Sequence, residues 1–364
     1  MRNLLSNHGR IALGLGTALL ATTALSATAN AQDMAGETIT LIHNASPGGA
    51  TGVGAEVAAQ AWAKAIPGNP EMIVQAVPGG ALTKGINAVK NARPDGKTLG
   101  WVAWQGSTRI LDPEELQFDW NEFGIIGGVG GASFFVVLDS ELGDTIQEIA
   151  DSGETVTFGG FNAKSSASMQ TAAAFDMLGV DWSFASGFAG GGPLLAALGR
   201  GEIDGYPVTA VAYQNEFKEG GLKDGSVIGP WHYGFLDESG EHMVPDPAYG
   251  DDVPVFDQFY KEVTGEEPSG EAWEMIKFHA AVSAPVNWLV MAPPGTSEED
   301  LKMFRESFAE AMTSPEYIEE ATRVYGAPPN IELTDDMLAI VEQVTTTPDD
   351  MKELLRSYID RMEQ

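Results

Sequence analysis

The sequence predicts a two-lobed α/β fold, each lobe a mostly parallel sheet flanked by helices, with strands crossing between the lobes. Three observations predict it. A β-α-β-α-β order runs from 38 to 104, a second such series runs from 134 to 217, and the chain then returns to one more strand and helix from 288. Short β-rich runs alternating with amphipathic helices imply parallel strands with helices on their faces. A chain that builds one such unit, then another, then comes back has the plan of two hinged lobes.

The elements follow in order. Residues 1–31 read as a cleavable signal peptide. Arg2 and Arg10 supply a positive start, 11–25 is an apolar run, and Ala29-Asn30-Ala31 fits the small-residue cleavage rule. The apolar run is shorter than the ~20 residues a membrane span needs. The spacing then predicts a strand over 38–44, a Gly-rich turn and a helix over 53–65, a strand over 72–77, a helix over 80–91 closed by Pro94-Asp95-Gly96, and a strand over 98–104. This unit, 32–125, joins with 283–345 as the first lobe. In the second lobe, 126–282, strands are expected over 134–138, 155–158, 182–185 and 203–208. Helices are expected over 145–150, 166–178, up to Leu198 from the Gly190-Gly191-Gly192-Pro193 turn, and over 210–217. Residues 219–282 are rich in Gly, Pro, Asp and aromatics and carry no clear period; 230–281 reads as an insertion. A strand over 288–292 precedes a helix over 297–313. Ser297 caps that helix, and Glu298, Glu299 and Asp300 in its first turn suit the helix dipole. Further helices are expected over 315–324 and 334–362, with 346–364 as a C-terminal helix.

Composition narrows the function. The chain has 364 residues, 52 acidic against 20 basic, a net charge of -32 and no cysteine. A core of about 330 mature residues suits two domains. Disulfides and thiolate metal sites are excluded. Nucleic acid is excluded as a partner, because its phosphates demand a basic surface. An anionic ligand gains nothing from the global field, so its site must supply positive potential locally.

Four Gly- or Ser-rich loops sit between a strand and a helix. They are Asn44-Ala45-Ser46-Pro47-Gly48-Gly49-Ala50-Thr51-Gly52, Val77-Pro78-Gly79-Gly80-Ala81, Gly159-Gly160-Phe161-Asn162-Ala163-Lys164-Ser165-Ser166-Ala167-Ser168, and Ser186-Gly187-Phe188-Ala189-Gly190-Gly191-Gly192-Pro193. Glycine lets backbone N–H groups approach a ligand without Cβ clashes, and such donors at a helix N-terminus make an anion site. The alternative for each loop is a tight turn or a simple cap, and Ser165 or Ser166 is expected to cap in any case. The first loop lacks the lysine of a nucleotide-binding P-loop. Lys164 could serve as a charge partner. His43, next to the first loop, could touch a ligand or simply end a strand. Ala45, Ser186, and Gln105 and Ser107 beyond the third strand are further candidates.

With these loops in place the sequence resembles a known family, the TctC/Bug-like extracytoplasmic receptors of tripartite tricarboxylate transporters. Pro47-Gly48-Gly49-Ala50-Thr51 is similar to the family's loop after the first strand. Val77-Pro78-Gly79-Gly80-Ala81 resembles its second Gly-rich segment. Ala92-Arg93-Pro94-Asp95-Gly96-Lys97-Thr98-Leu99 is the most distinctive match. Asp119-Trp120-Asn121-Glu122-Phe123, Gly187 to Leu198 with Gly201-Glu202-Ile203-Asp204, and Ala292-Pro293-Pro294-Gly295-Thr296 follow in family order. The resemblance implies a two-lobed periplasmic binding protein, or Venus flytrap, fold. It implies a monomer that closes on a small organic carboxylate: a di- or tricarboxylate, or an aromatic or amino-acid carboxylate. That ligand would pass to the integral membrane subunits of a transporter, without cofactor or metal. It implies a first-lobe cradle of Ser46, Gly48, Gly49, Ala50 and Thr51, faced by Ser165, Ser166, Ser168 and Gly190. Where the family often carries Asp and His, this chain has Gly52 and Ser168, so ligand choice does not transfer. Trp231, His232, Tyr233, Phe235 and Trp273 of the insertion either line a pocket or pack the insertion down.

Catalysis finds little support. The histidines are His8, His43, His232, His242 and His279, and neither H-E-x-x-H nor G-x-S-x-G occurs. The spacing of His232 and His242 fits no metal-ligand pattern. Two other readings stay open: a receptor of another uptake system for amino acids or sugars, and a periplasmic carboxylate-ester hydrolase using Ser46 or Ser165.

Overall fold

The computed structural model describes residues 33–48, 50–80, 82–104, 111, 118–131, 133–188, 191–251, 253–325 and 327–364. The signal-peptide expectation, Gly49, Gln105, Ser107 and Gly190 lie outside the described residues. No helix among those described is long and apolar enough to cross a membrane.

The first β-α-β-α-β series forms as expected. β1 (Thr38–His43) is followed by α1 (Ala50–Ala65), β2 (Glu71–Ala76), α2 (Thr83–Lys90) and β3 (Thr98–Ala103), and β1 pairs in parallel with both neighbours. β4 (Gly124–Val129) belongs to the same sheet, so this lobe's first segment extends past the expected boundary at 125. The chain then crosses. β5 (Phe134–Asp139), α3 (Ile146–Ser152), β6 (Val156–Gly159), α4 (Ser166–Leu178), β7 (Trp182–Ala185), α5 (Gly191–Leu198) and β8 (Gly205–Thr209) build the second lobe. A wide-turn helix, Tyr213–Gly221, leads to β9 (Val227–Ile228).

The insertion holds a two-stranded sheet of β10 (Phe235–Leu236) and β11 (Met243–Val244), then α6 (Phe256–Thr264) and α7 (Glu271–Val282). The chain returns through β12 (Trp288–Ala292), α8 (Glu298–Met312), α9 (Pro315–Tyr325), β13 (Ile331–Glu332) and α10 (Thr334–Thr345). It ends in α11 (Asp349–Met362). The strand orders are β13-β4-β12-β3-β1-β2 and β7-β6-β8-β5-β9. In each sheet the βα series is parallel, and the strands that carry the chain between lobes enter antiparallel.

Packing explains the local sequence. α1 is rich in small residues on its buried side, Gly54, Ala55, Ala58 and Ala59, with Trp62 below them. The Trp62 ring meets Phe304 and Phe308 edge-on at 6.2 and 5.4 Å, and its Nε1 donates to Ser307 Oγ at 3.0 Å. Burying such a polar atom is tolerable because it keeps a partner. The insertion is pinned by rings: Trp231, Tyr233, Phe256 and Trp273 are all buried in the second lobe's core. The C-terminal helix is part of that core too. Leu355, Tyr358 and Ile359 are buried in it, and Arg361 makes a two-pronged contact to Asp176 of α4 at 2.6 and 2.8 Å. Burial alone would raise the Asp176 carboxyl, but bonds from Arg361, Tyr358 and Trp182 outweigh it and hold the group below its usual range.

Two histidines are buried without charge. Burial holds His279 in α7 down to about 3, and neither ring nitrogen has a hydrogen-bond partner. Burial holds His232 at about 4, against the raising influence of Asp246. The unfolded chain protonates its histidines near 6.5. Their contribution to stability is therefore complete above that value and declines as pH falls from about 6.5 toward about 4 for His232 and about 3 for His279. The variant His279→Leu is expected to keep neutral-pH stability. It should flatten the acid-side loss by up to about 1.4 kcal/mol per pH unit, the slope for one proton. Urea denaturation at pH 7, 6 and 5 measures this, and an unchanged slope would refute the assignment.

Candidate functional site

The N-terminus of α1, the loop after β6 and the end of β8 all lie at carboxyl ends of parallel strands, where α/β sheets bind their ligands. Between the two sheets they enclose a cavity of about 830 Å³. Ala50 and Val53 of α1, Trp288 at the start of β12, and Tyr325 at the end of α9 form the first-lobe wall. Phe134, Phe161, Thr209, Phe235 and Asp246 form the opposite one. Gly130, Gly131 and Asn287, where the chain crosses between lobes, lie at the junction.

Trp288 organises the first wall. Its ring stacks on Trp101 with centroids 5.6 Å apart, Tyr325 packs at 5.5 Å, and its Nε1 donates to Thr51 Oγ1 at 3.2 Å. A Cβ at Gly54 would lie 3.1 Å from Tyr325 Oη and 3.2 Å from the Trp288 ring, so glycine is what lets both rings seat against α1. Burial pushes the Tyr325 phenol up to about 12, so it stays protonated.

The junction is held by asparagines. Asn287 Nδ2 donates to Gly131 O at 3.1 Å, and Asn330 Nδ2 donates to Pro285 O at 2.9 Å. On the second wall Asp246 is fixed from three directions. Its Oδ2 accepts from Ser133 Oγ at 2.7 Å, its Oδ1 from Ala248 N at 2.9 Å, and its own N–H donates to His232 Nε2 at 3.1 Å. That last bond requires an unprotonated Nε2, which agrees with the lowered His232. Among the described residues lining the cavity none is Lys, Arg or His, and Asp246 is the one carboxylate.

The expected site residues divide. Ala50 reaches the cavity. Ser46 and Gly48 are exposed on the turn before α1, with Gly48 at φ +76. Ala45 is half-buried there. Thr51 is buried and its hydroxyl serves Trp288. His43 is buried under the loop, its ring 3.1 Å from where a Cβ on Gly52 would be; burial lowers it, with Glu56 opposing. Ser165 caps α4, accepting from Ser168 N at 3.2 Å, and the two hydroxyls meet at 2.8 Å. Ser168 is fully buried, while Ser166 and Lys164 are half-buried and Ser186 is exposed. None of these second-lobe residues lines the cavity; Phe161 from the same loop does, and it is 54% exposed. Of the insertion's aromatics, Phe235 lines the cavity while Trp231, Tyr233 and Trp273 are core. The sequence carried no signal for Trp288, Tyr325 or Asp246 as cavity residues, because they come from segments remote from any Gly-rich loop.

No protein-family model and no curated protein matches the chain. Solved structures do match it. A TctC solute binding protein from Polaromonas superposes with TM-score 0.61 at 17% identity, covering 88% of this chain and 98% of that one. An R. palustris protein with adipate gives TM-score 0.61 at 15% identity, over 88% and 97%. MatC from Rhodopseudomonas palustris with bound malate gives 0.50 at 18% identity, over 90% and 97%. The chain therefore shares the two-lobed fold of these binding proteins.

The Thr51–Trp288 bond makes a test of the first wall. Thr51→Val keeps the shape and leaves a buried indole N–H without its acceptor, at a cost of about 1–3 kcal/mol. Urea denaturation, followed by tryptophan fluorescence, measures this. A loss below about 0.5 kcal/mol would mean that the bond does not organise the wall.

Proposed function

We propose that the protein is a periplasmic solute receptor that captures a small organic carboxylate between its lobes and delivers it to the membrane subunits of a tripartite tricarboxylate-type transporter. The observation that carries this reading is the cavity of about 830 Å³ at the strand carboxyl ends, with the N-terminus of the 16-residue helix α1 opening on it at Ala50. The first amides of a helix have no intrahelical partner and sit at its positive end. That supplies the local positive potential a chain of charge -32 otherwise lacks. The neighbours with malate and adipate support the same ligand class.

In this reading the protein is monomeric, exported by its leader and not an enzyme. Backbone amides around Ser46, Gly48, Gly49 and Ala50 hold one carboxylate. The second-lobe candidates Ser165, Ser166, Ser168 and Gly190 come to it only as the lobes close; the Ser165 and Ser168 hydroxyls are occupied with each other and their amides with Asn162 O and Ser165 Oγ, so these two shape the loop and are not free donors. A micromolar receptor needs about -8 kcal/mol. One helix end supplies roughly 0.3–1 kcal/mol when exposed and about 2 when partly buried. Charge-assisted bonds of about 1.5–3 kcal/mol each must add the rest, so affinity depends on the lobes closing out water.

A panel of mono-, di- and tricarboxylates, with neutral sugars as controls, is expected to give at least one carboxylate that raises Tm and reduces the radius of gyration in small-angle scattering. Ala50→Glu places a negative charge at the cavity's positive end. It should weaken that ligand at least tenfold while leaving the unliganded Tm unchanged or higher, because an acid in a first turn favours the helix. Sugars stabilising the protein while carboxylates do not would turn the reading toward a different uptake system.

A further inference from the structure

The cavity's second wall is built for something other than a second carboxylate. Asp246 stands on it, fixed by Ser133 and Ala248. Those partners are a hydroxyl and an amide, and neither neutralises a carboxylate. The carboxylate is held in place from behind. Tyr249, in the short turn that Asp246 caps, donates to Ser133 O at 2.9 Å, and Gln214 Nε2 donates to Ala248 O. Buried neighbours thus give Asp246 a fixed position, half-buried, on a surface shared with Phe134, Phe161 and Phe235. A carboxylate on an aromatic-lined wall is the chemistry that recognises an organic ammonium: the carboxylate accepts its N–H groups, and an aromatic ring attracts the charge. The same carboxylate repels a second anionic end of a ligand.

Resting on the reading of a carboxylate receptor, we propose that the solute is an amino carboxylate with an apolar body, its carboxylate at the N-terminus of α1 and its ammonium on Asp246. The two charged ends of the guest then meet opposite walls of the cavity, and the apolar part lies against Trp288 and the facing phenylalanines. Asp246 belongs to 230–281, the stretch that reads as an insertion in the sequence. Ligand choice in this protein is thus set by its own insertion.

Matched probes test this: phenylalanine against 3-phenylpropanoate, norleucine against hexanoate, and 2-aminoadipate against adipate, by calorimetric titration and thermal shift on the mature protein. The ammonium member of at least one pair is expected to bind at least tenfold more tightly than its deaminated partner. Asp246→Asn keeps the Oδ1 acceptor for Ala248 N, so the unliganded Tm should hold. It should abolish the preference within a pair while leaving the deaminated member's affinity equal or better. Asp246→Glu, which keeps the charge, should retain part of the preference. Deaminated members or adipate binding as tightly as their ammonium partners in the unaltered protein would overturn the inference and leave the carboxylate receptor standing. So would a preference that survives Asp246→Asn. Ammonium compounds without a carboxylate, such as phenethylamine, binding as tightly as the amino acid would instead remove the carboxylate reading and this inference with it.

Discussion

The crossing of the chain between its two sheets fixes where everything else can stand. β4 ends at Val129 and β5 begins at Phe134, and the return path runs from Val282 to Trp288. At this junction side chains from the returning chain press directly onto glycine backbone, so a Cβ there has no room. A Cβ on Gly128 would come 2.8 Å from Met337 Sδ, and one on Gly130 2.9 Å from Asn287. The peptide groups laid bare there are taken up by side-chain amides and by the chain itself: Gly131 O by Asn287, Pro285 O by Asn330, and Gly130 N by Asn330 O at 2.8 Å. Buried backbone groups that lose such partners cost more than the bonds gain. The cavity is bounded at this junction by Gly130, Gly131, Asn287 and Asn330.

The βα series was legible because local signals agree with the final structure. Strands of four to six residues are bounded by Gly, Pro and Asp turns, and helix starts carry their own caps, as Ser165 and Ser297 do. β4 was not legible. No element is predicted from the sequence over Gly124-Ile125-Ile126-Gly127-Gly128-Val129, yet its glycines are there because Leu301, Phe308 and Met337 pack directly onto them. Such a strand is specified by its neighbours and not by its own propensity. The insertion failed for the same reason: Trp231, Phe256 and Trp273 find one another across 42 residues of chain, and no short window contains that fact.

The site was half legible. Gly- and Ser-rich loops mark helix starts, so the sequence located the strand ends where a cavity forms. It could not tell a ligand donor from a cap. Ser165 and Ser168 satisfy each other and the first turn of α4, and Thr51 satisfies Trp288. A hydroxyl near a helix start competes for the helix's own orphan amides before any guest arrives. The aromatic wall and Asp246 come from β12, α9 and the insertion, brought together only by the crossing.

The surplus of negative charge acts over a longer range than the site does. Its field reaches roughly a Debye length, about 10 Å at 0.1 M salt, and opposes the arrival of any anion. The positive end of α1 falls off within a turn of helix and acts only once a guest is already in the cleft. A dianion therefore meets repulsion on approach and again from Asp246 inside. A guest with one charge of each sign meets no net repulsion on approach, and inside it can place each charge against its complement. In the proposed binding mode the acidic surface and the carboxylate in the cavity select in the same direction, one through the rate of encounter and the other through the strength of the bound state.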